Sequence, residues 1–136
     1  MASFSDYLEP LILDHVLSDG AFTEPANVYV GLWTSALTDA STGATAGEAT
    51  YTGYARKEIL ATDLSAGAAG SKTNSAAITF AACSGSTSTI TYFGITDNAT
   101  TGAGNLLMWG TVTSKVIDTS NTPATIAIGA LVVTLD

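Results

Sequence analysis

The sequence predicts a mainly β protein, an antiparallel β-sandwich resembling a jelly roll, with one α-helix near the N-terminus. After Gly20 the apolar residues recur with a period of two, in about seven short segments. Small and polar residues separate these segments, and no alternation of strands with helices appears. The only helical periodicity lies before Gly20. An antiparallel sandwich with a helical N-terminus satisfies all three observations.

The predicted helix covers residues 5–19. Ser3 or Ser5 is expected to cap its start, and Gly20 is expected to end it. Pro10 is the difficulty, because a proline inside a helix removes a hydrogen bond. We therefore expect a kink at Pro10 or a helix that begins there. One face of the helix carries four apolar residues at helical spacing: Leu8, Leu11, Ile12 and Val16.

Short apolar segments give the predicted strands. In chain order they cover residues 28–33, 54–60, 76–81, 90–96, 105–113, 125–128 and 131–135. Residues 35–50 form a long loop of small side chains, a kind of loop that is often functional. Residues 61–75 are expected to be a Gly-, Ala- and Ser-rich connection. We expect one domain over residues 1–136, divided into a helical arm (1–20) and a β-sandwich (21–136).

The charge content is unusually low. Only 12% of the 136 residues are charged, about half of what is typical, and the net charge is −8. Few ions would lose water when a partner docks, so a surface of Thr, Ser, Gly and Ala favours a protein that stays in contact with neighbours. The four basic residues are too few to bind phosphates, which excludes nucleic acid as a partner. No apolar run approaches the ~20 residues of a membrane helix, and no signal peptide is visible.

Candidate catalytic residues are few. His15 is the only histidine, and a helix-face histidine with a local hydrogen bond is the simpler interpretation. Cys83 is the only cysteine, so it forms no intrachain disulfide and is expected to be a small buried residue. No phosphate-binding loop, nucleophile elbow or metal-spaced cluster is present. We expect no catalytic residue, no cofactor and no metal site.

Seven short sequence blocks run in order through nearly the whole chain. They are Phe4-Ser5-Asp6-Tyr7-Leu8-Glu9, Leu13-Asp14-His15-Val16-Leu17, Tyr29-Val30-Gly31-Leu32-Trp33-Thr34, Gly53-Tyr54-Ala55-Arg56, Phe93-Gly94-Ile95, Gly104-Asn105-Leu106-Leu107-Met108-Trp109-Gly110 and Leu131-Val132-Val133-Thr134-Leu135-Asp136. In these blocks the chain resembles short phage virion proteins that are labelled tail fibre, head decoration or cement protein. The resemblance implies a virion structural protein with no catalytic residues to carry over.

A fibre gains its length from repeats or coiled coil, and this sequence shows neither. Of the three labels, we therefore expect a head decoration or cement subunit, which can be one compact domain. It would be made in the cytoplasm of the host bacterium and bind the phage major capsid protein at the capsid surface. Self-association as a homotrimer is expected as well. The alternative is a tail-associated protein, a short fibre or tip adaptor that touches the host. A cell-wall hydrolase is a third hypothesis, and His15 or Cys83 would have to carry its chemistry.

The expected contact elements are the helix, the loop 35–50 and the C-terminal strand. Trp33 and Trp109 could also stack on sugars, although tryptophans inside strands more often pack in a core or an interface. The candidate interface residues are Tyr7, Leu11, His15, Trp33, Tyr54, Arg56 and Trp109.

Overall fold

The computed structural model describes residues 2–17, 20–120 and 123–134, Ala2 by its backbone alone. The described residues form a 3-10 helix (Ala61–Asp63) together with one α-helix and nine strands. The α-helix and the strands are β1 (Ala2–Phe4), α1 (Leu8–Val16), β2 (Val28–Trp33), β3 (Lys57–Ile59), β4 (Ser71–Thr73), β5 (Ile78–Thr79), β6 (Ser88–Thr96), β7 (Leu106–Ile117), β8 (Thr125–Ile126) and β9 (Val132–Thr134). The predicted class, mainly β with one helix near the N-terminus, is confirmed.

The strands form one large sheet and two small ribbons. The sheet has five strands in the order β1-β7-β6-β2-β3, and each neighbouring pair is antiparallel. The pairs β4–β9 and β5–β8 form antiparallel two-stranded ribbons. Sheet and ribbons share one core, to which β2 contributes Val30, β6 contributes Phe93 and β5 contributes Ile78. The second layer of this sandwich-like arrangement therefore consists of the ribbons and their connections.

The opposite face of the sheet carries a second, smaller cluster around Trp33. Trp33, Leu37 and Leu106 are fully buried in it. Successive side chains of a strand point to opposite faces, so Trp33 and Leu106 lie on the face opposite to their neighbours Leu32 and Leu107 in the main core. Gly31 and Gly94 face each other across β2 and β6 and leave room for the indole ring. A Cβ on Gly31 would lie 2.7 Å from Cζ3 of Trp33, and one on Gly94 would lie 2.9 Å from the same atom. The glycine pair is thus a slot for one tryptophan.

The helix differs from its prediction at both ends. It begins at Leu8, and no side chain caps it. Ser5 is fully buried, and its Oγ donates a hydrogen bond to the carbonyl of Leu106 instead. The carbonyl of Ser5 accepts the N–H of Leu8 at 2.9 Å, which starts the helix through the main chain. Asp19, near the predicted end, lies outside the described residues.

Pro10 is the third residue of the helix and therefore belongs to its first turn. The first four N–H groups of a helix have no intrahelical partner, so a proline there removes no hydrogen bond. The helix thus starts before Pro10, and the expectation of a kink or a start at Pro10 was wrong. The helix ends at Val16 with Leu17 as its C-cap, so Gly20 does not end it as predicted. The N–H of Gly20 donates to the carbonyl of Asp14 at 3.2 Å.

Several strand bounds also differ. The predicted segment 54–60 is a strand only over β3, because Tyr54 closes a turn with its N–H on the carbonyl of Tyr51. The predicted 105–113 strand extends to Ile117. Strands β1 and β4 were not predicted, and each is three residues long. Leu135, in the last predicted strand, lies outside the described residues.

Substituting Gly31→Ala should destabilise the protein, because the new methyl group meets the Trp33 ring and Glu48 across the slot. Overpacking of this kind costs about 1–3 kcal/mol. Denaturant unfolding of the purified protein would measure the loss. Gly67→Ala is the matched control, because a Cβ there meets no atom within 4 Å. Equal stability of the two variants would contradict the slot.

Candidate functional site

A buried arginine organises one end of the sheet. The Nε atom of Arg56 donates to Oε1 of Glu48 at 2.7 Å, and its Nη2 donates to Oε2 of the same carboxylate at 2.9 Å. This is a two-point ion pair, the geometry in which guanidinium and carboxylate match best. Both side chains are almost completely shielded from solvent. The pair therefore lies inside the subunit.

The remaining N–H groups of Arg56 are also satisfied. Nη1 donates to the carbonyls of Asn98 and Ala103, both at 2.8 Å, and Nη2 donates to the carbonyl of Gly43 at 2.6 Å. These carbonyls belong to two segments, the loop 34–49 and the turn 97–105. Burying a guanidinium is costly unless every donor finds a partner, and here each one does. The side chain thus holds the loop and the turn together, and we call this pair of segments the loop platform.

Glu48 completes the network from the other side. Its Oε1 accepts the hydroxyl of Tyr54 at 2.9 Å, and its Oε2 accepts the N–H of Gly102 at 2.9 Å. The Tyr54 oxygen in turn accepts the N–H of Leu32 in β2 at 2.9 Å. Burial raises the pKa of the Tyr54 hydroxyl far above its ordinary value, and the nearby Glu48 carboxylate raises it further, although the Leu32 N–H acts in the opposite direction. Tyr54 therefore stays protonated and serves as a donor to Glu48.

The two tryptophans lie at different depths. Trp33 is fully buried, its ring centroid lies 5.6 Å from the guanidinium carbon of Arg56, and its Nε1 donates to the carbonyl of Thr45 at 3.1 Å. Trp109 is half-buried beside Tyr92, and its Nε1 donates to Oδ1 of Asp39 at 3.1 Å. Both indoles therefore tie β-strands to the loop platform. Only Trp109 has ring surface that a sugar or a partner could reach.

The four candidate interface residues of the β-region thus meet in one place. Arg56 and Trp33 form its interior, Tyr54 links it to β2, and Trp109 reaches its edge. The sequence had suggested that these residues contact a partner, whereas Arg56 and Trp33 are buried and bind the main chain of the loop platform. Glu48 was not among the candidates. The signal that could have identified it is the scarcity of cations, since Arg56 is the only arginine and a buried guanidinium needs an acid.

The three candidates of the helix stay at the surface. Tyr7 is exposed, Leu11 is half-buried, and His15 is exposed. Nδ1 of His15 accepts the N–H of Phe22 at 3.2 Å, which is the local hydrogen bond expected from the sequence. These residues form a second candidate contact surface, on and beside the helix.

The helix also exposes apolar residues that were not among the candidates. Leu13, Val16 and Leu17 are 59%, 68% and 73% exposed. The prediction had placed Val16 on the packed face of the helix. The signal was available, because six apolar residues between Leu8 and Leu17 are too many for one face of so short a helix. Together with Leu8 and Ile12, these residues are called the helix face below.

Few groups suited to catalysis come together in the structure. Within residues 2–17, 20–120 and 123–134, no three His, Cys, Asp or Glu side chains lie close enough to hold a metal ion. Cys83 is buried, and its thiol donates to the carbonyl oxygens of Gly85 and Ser86, both at 3.1 Å. The helix of the described chain is too short to cross a membrane.

A small β-domain with a fixed loop platform and an apolar helix face has the features of a structural protein that works through its surfaces. Residues 3–134 match the model of the podophage GP4 fiber I protein gp80 family, and the chain belongs to this family. It is therefore a phage virion structural protein, as its resemblance to such proteins implied. No curated protein matches the chain.

Substituting Arg56→Met should cost about 3–5 kcal/mol of folding free energy, because it leaves the Glu48 carboxylate buried and unpaired. Denaturant unfolding would measure this loss. Lys57→Met, at the exposed neighbour, is the matched control and should stay within about 0.5 kcal/mol of the wild type. The double variant Glu48→Gln, Arg56→Met should recover part of the loss. An Arg56→Met protein as stable as the control would contradict the central role of the pair.

The raised pKa of Tyr54 predicts a stability that falls at alkaline pH. Below the ordinary value of 10.0, both the folded and the unfolded chain hold the hydroxyl proton. Above it the unfolded chain releases the proton and the folded chain keeps it, so the free energy of unfolding decreases by up to about 1.4 kcal/mol per pH unit for this group. Urea unfolding between pH 8 and 11 would show this slope, and Tyr54→Phe should flatten it. Equal slopes in both proteins would contradict the assignment.

Proposed function

We propose that this chain is a globular subunit of a virion fibre that acts by binding rather than by catalysis. The observation that carries the proposal is the family match over residues 3–134, whose description names a fibre protein. The low charge of the chain supports the same view, because a surface poor in ions loses little hydration on contact with other subunits.

The architecture suggests which part of a fibre the subunit forms. A shaft gains its length from repeats or from coiled coil. In the part of the chain that the structure describes, the helix has nine residues and the longest strand has twelve. These dimensions support a globular collar or tip rather than a shaft. In such a position the loop platform is a fixed surface that can meet another molecule.

Capsid decoration is the second candidate function. A compact β-domain of low charge suits a subunit that sits on the shell and clamps major capsid proteins, with three copies around a threefold axis. Such a subunit would stabilise the particle, because it binds the assembled state. The same surfaces would serve, with the helix face or the loop platform on the shell.

The number of copies in each virion separates the two functions. Quantitative mass spectrometry of purified virions should find the chain at a small fraction of the abundance of the major shell protein, as expected for a fibre. Near-equal abundance would overturn the fibre proposal in favour of decoration. A chain that is missing from purified virions would overturn both.

A further inference from the structure

An apolar groove runs beside the helix. It encloses about 600 Å³, and its walls include Leu8 and Ile12 from the helix, Phe22 from the following segment and Leu60 after β3. In a helix, residues four apart lie in one row, so Val16 continues the row of Leu8 and Ile12 beyond the groove. Leu13 and Leu17 form the next row. Leu13 lies three residues before Val16 and neighbours it, so the exposed part of the helix face adjoins the groove through Val16 and Ile12.

The outer part of the helix face and one wall of the groove leave large apolar side chains exposed. Leu13, Val16 and Leu17 are each more than half exposed, and Leu60 in the groove wall is 52% exposed. Apolar residues that cluster in this way, with polar residues around them, mark interaction sites. Large apolar side chains that enter a groove supply most of the binding energy of such a contact.

The charges around the surface decide what can cover it. Residues 1–55 contain no Lys or Arg, and four of their acidic residues lie on or beside the helix and the groove. Glu9 and Asp14 lie on the helix, Asp6 precedes it, and Glu24 lines the groove. Lys72, at the groove wall, is the basic residue that borders it within the described part of the chain. Two copies that met through this surface would bring like charges together, which is unfavourable.

We propose that the helix face and the groove dock a segment of a different virion protein, with apolar side chains in the groove and Lys or Arg residues around them. The inference rests on the proposed function, because it names the partner of a subunit that is built into a virion. Charge complementarity selects this partner over a second copy of the chain. The acidic rim steers the partner to the site, and the apolar contact holds it there.

Incorporation into virions tests the proposal. Phage carrying Leu17→Glu should incorporate the subunit at least 10-fold less than the wild type, by mass spectrometry of purified particles. Asp14→Lys should also lower incorporation. Ile128→Glu is the matched control, because Ile128 is 67% exposed but belongs to neither the helix face nor the groove, and it should be incorporated normally. Normal incorporation of Leu17→Glu, or an equal loss in the control, would overturn the proposal.

Two further measurements keep this outcome interpretable. Thermal unfolding of the purified variants should match that of the wild type, because Leu17 and Ile128 are at the surface. A photo-crosslinking residue at position 13 should attach, in intact virions, to a Lys- or Arg-rich segment of another virion protein. Attachment to a second copy of the chain, or none at all, would overturn the proposal. Absence of the wild-type chain from virions would instead contradict the proposed function, so the two failures are distinguishable.

Discussion

The ion pair between Arg56 and Glu48 is the interaction on which the loop platform depends. Removing both charges from water costs several kcal/mol for each ion, and their mutual attraction offsets this only when every remaining donor and acceptor is satisfied. Two separate segments and a tyrosine supply the missing partners. Arg56 therefore joins the loop 34–49 to the turn 97–105, which also meet where the N–H of Gly43 donates to the carbonyl of Gly104. The loop has 16 residues without strand or helix, and Leu37 anchors it in the Trp33 cluster.

The sequence predicted best those strands whose pattern reflects burial. Residues 28–33 were located by their period of two and residues 90–96 by their β-branched and aromatic side chains, and both segments are largely buried. Strand β4 has no such pattern, because its existence depends on pairing with β9, about 60 residues later in the chain. Strand β1 escaped prediction for a related reason: Ser5 looked like a helix cap, but its hydroxyl is used by a carbonyl in β7.

The candidate site shows the same division. Tyr54, Arg56, Trp33 and Trp109 were singled out as candidate interface residues, and the structure brings them together because the polar atoms of these large side chains need partners. Whether such a residue faces outward or inward depends on contacts that no local pattern encodes. Arg56 is buried because Gly43, Asn98 and Ala103 turn their carbonyls toward it. For the helix face, the sequence alone shows more apolar residues than one packed side of the helix can hold. The structure then shows that the surplus residues are exposed.

The arginine network is largely indifferent to side-chain identity. Arg56 is bound to the carbonyl oxygens of the loop and the turn, Trp33 to the carbonyl of Thr45, and Glu48 to the N–H of Gly102, all of them main-chain groups. Apart from glycines that leave no room for a Cβ, such as Gly43 and Gly104, any residue that keeps the local backbone conformation offers the same groups. The outward-facing side chains of the platform can thus be substituted one by one while the ion pair between Arg56 and Glu48 stays intact. The fold separates a part that must stay constant from a surface that is free to diversify.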